Sequence, residues 1–357
     1  MNGTKDPSEK LMDFLALNRY AEGLSSLQVS KAALSWTRFC GSLSLVLVVL
    51  LFLSGAFMMF YYSPSPGAAY DSVDFAQFSL PFGDVVRGVH CYAWNLLLIV
   101  LGLHLAGTFL TAAYKSPREM VWVSGVLILL VVPAFIVTGD LLPWDQKGYW
   151  TTQVRNSIIS SVPVFGDFAL RLLQGGSRTG IVALTRFYVL HSLFLPSLLI
   201  LLIATHFHFL AHRGLADPLR ENKVGRDFMP FLPDMIIRWL ILFVVVAVAL
   251  GLTAWHWPAP LESPADPTDS SYVPKPEWWV LFLNQLVSIF RGPLMVIGTV
   301  VVPGGLALLL LALPFIDRSP ERRPFLRKKS MFVAIVIVVL VAVLSIMAYV
   351  QHFVKPH

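Results

Sequence analysis

Only two cysteines, Cys40 and Cys91, occur in 357 residues. That excludes a disulfide framework, a four-thiolate iron–sulfur ligand set and, without a CxxCH motif, covalent haem attachment of the c type. Charge is scarce as well: Asp, Glu, Lys and Arg make up 13% of the chain. The net charge is +6, but the cations lie between apolar runs and form no nucleic-acid footprint. Hydrocarbon fills the space instead. The chain is 56% hydrophobic with a mean hydropathy of +0.69, the composition of an integral membrane protein. Its apolar runs are too long and numerous for signal peptides.

Seven spans are expected, at roughly 36–60, 88–112, 121–139, 184–211, 234–255, 293–316 and 331–352. Residues 1 to about 35 mix polar and apolar types and read as a short surface helix at the membrane entrance. Seventeen of the 27 Lys and Arg fall on the N-terminal segment, Lys115/Arg118 and the 212–232 and 317–329 loops. By the positive-inside rule that side is cytoplasmic, or its equivalent negative side. A bacterial inner membrane with a cytoplasmic N-terminus is the expected location.

Within the second run, His90 and His104 are fourteen residues apart. In a helix that interval rises roughly 21 Å and returns to within about 40° of the same face. His191 and His206 lie fifteen apart in the fourth run, about 60° round by the same geometry. Single membrane histidines are often packing residues, but polar groups in lipid are costly and four at matched spacing mark function. Two such helices can hold two iron porphyrins one above the other, each between one imidazole from each helix. The pairs matched in depth are His90–His191 and His104–His206. His208 is the rival to His206; it points off that face and reads as packing.

Glycines repeat the interval: Gly41 and Gly55 on the first span, Gly125 and Gly139 on the third. On helices that supply no ligand, glycine permits close approach of a flat macrocycle. Arg87, one turn before His90, is placed for a haem propionate, and Arg118 for the inner haem. The 140–180 connection contains DLLPWDQKGYW, suited to a cap over the positive-side haem. In the 256–292 loop, Pro276, Glu277, Trp278 and Trp279 put a carboxylate beside two aromatics at the membrane boundary. A partly desolvated Glu277 would suit a general base.

These residues together resemble cytochrome b of the cytochrome bc complexes. The resemblance covers nearly the whole chain, through the histidine and glycine pairs, Arg87, LPWDQKGYW at 142–150, LTRFYVLH at 184–191 and PEWW at 276–279. The fifteen-residue interval and three C-terminal spans are similar to the chloroplast-type branch, with its separate three-helix subunit fused on. The organisation this implies is an all-α membrane protein with a surface segment at 1–35. A four-helix dihaem domain at 36–212 and a three-helix domain at 213–357 carrying the PEWW loop follow it. Three departures stand out. PEWW replaces the family's PEWY, Cys91 follows the first histidine where chloroplast-type proteins have arginine, and Phe39 stands where they carry the cysteine of an extra covalent haem. Cys40, one residue later, is rotated about 100°, which argues against that haem.

The resemblance implies two non-covalent haems b and quinol oxidation on the positive side, at a site formed by Trp144, Gly148, Pro276, Glu277, Trp278 and Trp279. One electron would go to a Rieske-type iron–sulfur partner and on to a c-type cytochrome. The other would cross to a quinone near His212 and Asp234, with proton translocation. The quinone pool, membrane lipid and a second copy in a homodimer complete the implied partners. The alternatives are a dihaem membrane anchor of a dehydrogenase, which would need neither PEWW nor three extra spans, and a proton-relaying transporter.

Overall fold

The computed structural model describes residues 28–30, 36–176, 178–213, 228–230, 234–269 and 271–354. Seven helices among them are long and apolar enough to cross a membrane: Phe39–Met59, Gly83–Leu110, Glu119–Asp140, Ile181–Arg213, Met235–His256, Ile297–Ile316 and Lys328–Val354. Each coincides with an expected span, because a hydrocarbon core forces every backbone polar group into intrahelical hydrogen bonds. Outer faces of the later spans expose residues such as Leu240, Ile241 and Val338, as lipid contact requires.

The expected surface helix at 1–35 falls almost wholly outside the described residues. Its described part, Gln28–Ser30, is a short strand pairing antiparallel with Phe228–Pro230. Beside this two-stranded sheet, an isolated antiparallel bridge joins Asp145 to Pro264. The 140–180 connection also holds more structure than a loop. It forms two helices, Gln146–Ser160 and Gly166–Gln174, over the end of the bundle.

The first span packs on the second and the third on the fourth, with the fifth against both members of the first pair. Leu47, Leu97, Val132, Leu199 and Leu250 meet in the core between them. Small residues set the closest crossing: a Cβ on Gly88 would lie 2.5 Å from that of Ala254.

The fourth span is not a regular α-helix. Residues Leu190–Phe194 make a π-helical turn closed by the Leu195 N–H donating to the Leu190 carbonyl. The next residue is Pro196, which has no N–H to donate and whose ring would crowd the carbonyl four residues back. A wider turn relieves both problems. The same sequence of events precedes Pro303, after the π turn Ile297–Val301. The π turn at His191 absorbs one extra residue. The fifteen-residue interval of the fourth span therefore keeps nearly the phase that fourteen residues have in the second.

At the far end, the 111–118 turn is clamped to the 317–330 segment. Lys115 Nζ lies 2.9 Å from Asp317 Oδ1 and donates to the Ser319 and Glu321 carbonyls at 2.8 Å. Tyr114 and Ser330 hydroxyls donate to Asp317 Oδ2 at 2.5 and 2.8 Å. Arg327 donates to Tyr114 and to the Phe109 and Leu110 carbonyls.

Candidate functional site

Spans two and four bring His90 and His191 face to face across the bundle, ring centroids 6.3 Å apart with planes at 60°. Two imidazoles sharing one metal at about 2 Å per nitrogen need a gap of this size. Each ring is also held from behind. His90 Nδ1 lies 2.9 Å from Ser54 Oγ, His206 Nδ1 2.9 Å from Ser124 Oγ, and His191 Nδ1 3.2 Å from Thr138 Oγ1.

The direction of these bonds follows from counting protons. Each hydroxyl has one, and spends it on a carbonyl one turn back: Ser54 on Leu50 at 2.7 Å, Ser124 on Met120 at 2.8 Å, Thr138 on Ala134 at 2.7 Å. The hydroxyl oxygens are left to accept, so the Nδ1 atoms must donate. His191 Nδ1 also faces the Phe135 carbonyl at 3.0 Å, which can only accept. In all three rings the proton sits on Nδ1, and Nε2 keeps its lone pair for a metal. This donor set fits axial ligation of haem iron, with the orienting partner that such histidines carry.

The four glycines lie under the four imidazoles. A Cβ at Gly41 would come 3.2 Å from His104 Cε1, at Gly55 3.3 Å from His90, at Gly125 3.3 Å from His206 and at Gly139 2.8 Å from His191. The sequence pattern picked out these positions as room for the macrocycle. The atoms a side chain would first meet are those of the histidine on the neighbouring helix. His206 is thus seated on Gly125 and Ser124, whereas His208 is exposed and stacks on His212, ring centroids 4.2 Å apart. Cys40, beside Gly41, is buried, and Cys91 is half-buried at the cavity wall.

A cavity of about 890 Å³ opens at the His90/His191 end, with Gly55, Arg87, His90, Gly139, Gly148 and His191 among its walls. Arg87 does not project alone toward it. The guanidinium is bonded to the Gln77 side chain, to the Ala259 carbonyl at 3.0 Å and to the Pro260 carbonyl at 2.9 Å, tying the second span to the 256–277 loop. The WDQ stretch holds the same loop from the other side. Asp145 Oδ1 accepts from Gly148 N–H at 2.8 Å and caps helix Gln146–Ser160, while Oδ2 accepts from Glu262 N–H at 3.3 Å. Gln146 N–H donates to the Ser263 carbonyl at 2.9 Å, and Ala265 N–H to the Trp144 carbonyl at 3.0 Å. Burial pushes the Asp145 carboxyl up, against the backbone N–H groups of Gly148 and Glu262.

Trp144 adopts a left-handed φ of 52° and is buried against Tyr149 rather than lining the cavity. Gly148 does line it, and any side chain there would strike the Asp140 carbonyl. Pro276 is half-buried, and Glu277, ion-paired with Lys147, caps the short helix Trp278–Val280. Trp278 Nε1 donates to Asn95 Oδ1 at 2.8 Å, seating the loop on the second span. Trp279 packs against the main core, its indole N–H buried without an acceptor among the described residues.

At the other end, Arg118 stands half-buried at the cap of the third span, and His212 ends the fourth with Nδ1 donating to the His208 carbonyl at 2.9 Å. Asp234 begins the fifth helix, and its side chain lies outside the described residues.

Comparison with known proteins matches this arrangement along its length. Residues 95–264 match the cytochrome b (N-terminal)/b6/petB family and 264–355 the cytochrome b (C-terminal)/b6/petD family. A cytochrome bc complex cytochrome b subunit from Chlorobaculum thiosulfatiphilum is 32% identical over 345 residues, 94% of this chain and 78% of that protein. The chain belongs to the cytochrome b family of cytochrome bc complexes. A cytochrome b6 from Prochlorococcus marinus is 39% identical over 179 residues, half of this chain and 82% of that one. A chain of a hyperthermophilic respiratory Complex III superposes with a TM-score of 0.79 at 27% identity, covering 97% of this chain and 92% of that chain. Haem b is the cofactor that membership of the cytochrome b family implies.

Sequence reading missed the residues that hold the ligands. Ser54, Ser124 and Thr138 each directly precede one of the paired glycines, and Cys40 takes the fourth such place. That repeated small hydroxyl before glycine was the available signal. The Lys147–Glu277 ion pair carried none, because its partners are distant along the chain.

Proposed function

We propose that the chain is the dihaem cytochrome b subunit of a quinol:cytochrome c (or plastocyanin-like acceptor) oxidoreductase. The observation that carries this reading is the set of imidazoles whose Nδ1 protons are taken by Ser54, Ser124 and Thr138, with His90 and His191 apposed at 6.3 Å. His90 and His191 would hold one haem b, His104 and His206 the other, with the four glycines giving each ring its seat. Haem bound there supplies reversible one-electron transfer.

The chain's own residues would do the rest. The outer part of the cavity at the His90/His191 end, toward Lys147 and Gly148 and beyond the space the haem would fill, takes a quinol, which cannot surrender two electrons without two protons. Glu277 accepts one of them, held behind Lys147 just outside the lining by the loop that Arg87, Asp145 and Gln146 pin down. His212 and Asp234 serve a quinone at the opposite end. A Rieske-type iron–sulfur protein and a c-type cytochrome are the partners the first electron needs, since this chain lacks the cysteines for a cluster. The working form is a homodimer in a bacterial inner membrane with a cytoplasmic N-terminus, the excess of Lys and Arg supporting that orientation. Residues 36–212 form the dihaem unit and 213–357 the quinol-loop unit.

Haem counting on the purified complex tests this. Pyridine haemochrome analysis should give two haems b per chain, and the denatured polypeptide should carry none covalently at Cys40. His206→Leu should lose one haem and His208→Leu neither. The opposite result for the two histidines, or a protein without b-type bands, would overturn the reading.

A further inference from the structure

Lys147 is one of the charged residues on the walls of the cavity at the His90/His191 end. Lys147 is the second residue of helix Gln146–Ser160, whose start the Asp145 cap fixes. Its ammonium is ion-paired with Glu277, the two side chains being 41% and 17% exposed. Lys147 lines the cavity, whereas Glu277 stands behind it, outside the lining. Charged or titratable groups around the pair include Asp140 at the end of the third span, itself held by Arg155, Asp145 on the preceding turn and Cys91 on the second span. Arg87, Glu262, Tyr272 and Lys275 stand on the same cavity's walls.

Burial pulls the Lys147 ammonium down, but the bond to Glu277 and the charges of Glu277, Asp140 and Asp145 outweigh it, and its pKa ends raised. Lys147 is therefore a cation at neutral pH, with three donors and no acceptor. It cannot take a proton from a bound hydroxyl. It can stabilise the oxygen that has just lost one.

Taking the outer part of the cavity, beyond the haem space, as the quinol oxidation site, we propose that Lys147 is a further substrate-contacting residue, its ammonium binding the quinol oxygen that gives up its proton to Glu277. In this step the quinol O–H bond breaks and an O–H bond forms on Glu277. The bonding pair stays on the quinol oxygen, and Lys147 keeps its three protons. No electron leaves, so no oxidant enters the step. Neutralising Glu277 also removes the charge that held Lys147, which releases the ammonium toward the new oxyanion at the moment it forms.

The test is the pH profile of decylubiquinol oxidation by the purified complex with Lys147→Met and Lys147→Arg. For Lys147→Met we expect kcat/KM about 10²-fold lower at neutral pH, the scale of losing one oxyanion donor. The deficit should shrink as pH rises toward the range where quinol ionises unaided, and Lys147→Arg should restore most of the rate. A Lys147→Met profile equal to that of the unmodified complex overturns the proposal. So does a loss that is the same at every pH and not restored by arginine, which would mark a structural role. If Lys147→Met lowers haem content, Lys147→Gln is read by the same criteria. An unmodified complex that holds haem but oxidises no quinol would instead overturn the functional reading on which this rests.

Discussion

At the scale of single residues, the histidines of the site are fixed by hydroxyl partners on the neighbouring helices. A serine or threonine that has already donated to its own helix can only accept, and this decides the tautomer of the histidine beside it. Glycine under each ring then sets how near the imidazole can lie. Glu277 is largely shielded from solvent, as its aromatic neighbours suggest, but it is not isolated. Its partner is the Lys147 ammonium, and the tryptophans serve the loop: Trp278 anchors it to Asn95 and Trp279 to the core. Replacing Glu277 with Gln should slow quinol oxidation by about 10²–10⁴-fold, the usual worth of a positioned base. Haem content should be unchanged. Steady-state turnover beside haem quantification checks this, and full-rate turnover in the Gln variant would mean that another group takes the proton.

At the scale of elements, small residues and prolines place the spans. The crossing of spans two and five has no spare volume at Gly88, where even a methyl group would press on Ala254. Gly88→Leu should therefore overpack the crossing at a cost of about 1–3 kcal/mol, with Gly88→Ala milder. Ala254→Gly should relieve the Gly88→Ala variant. Thermal loss of the haem absorbance is the measurement, and an unshifted transition in Gly88→Leu would show that the spans can move apart freely. The fourth span adds a different lesson. A fifteen-residue histidine interval looks out of phase with fourteen when both helices are taken as regular. The π turn forced by Pro196 makes the two equivalent.

At the scale of the molecule, the clamp around Asp317 joins the turn after the second span to the segment between the sixth and seventh spans. Lys115 and Asp317 are only 6% and 9% exposed, so each is the other's main compensation for lost solvent. Burial alone would raise the Asp317 carboxyl, but hydrogen bonds from Tyr114, Lys115, Ser330 and Ser319 hold it well below the usual carboxylate range. A depressed folded-state pKa contributes stability that is present above the unfolded value of about 3.9 and is lost as pH falls through the folded value. The clamp should hold from neutral pH through mild acid and release only in strong acid. Asp317→Asn should cost about 3–5 kcal/mol, because it strands a buried ammonium. Denaturant titration of the detergent-solubilised complex checks this, and a variant as stable as its parent would show that these segments are held elsewhere.

The sequence by itself determined the seven spans, since apolarity over about 20 residues is a local property that the bilayer reads directly. It also determined that His90 and His104 share one face and that Gly41 and Gly55 repeat their interval, because helical period is local too. PEWW and WDQKGYW were legible as words of a family. Only the tertiary structure decided what those words touch. Gln146 meets Ser263, Arg87 meets the carbonyls of Ala259 and Pro260, and Glu277 meets Lys147 across more than a hundred residues of chain. Such pairings leave no periodic trace, for they depend on how the spans cross and not on where each begins and ends.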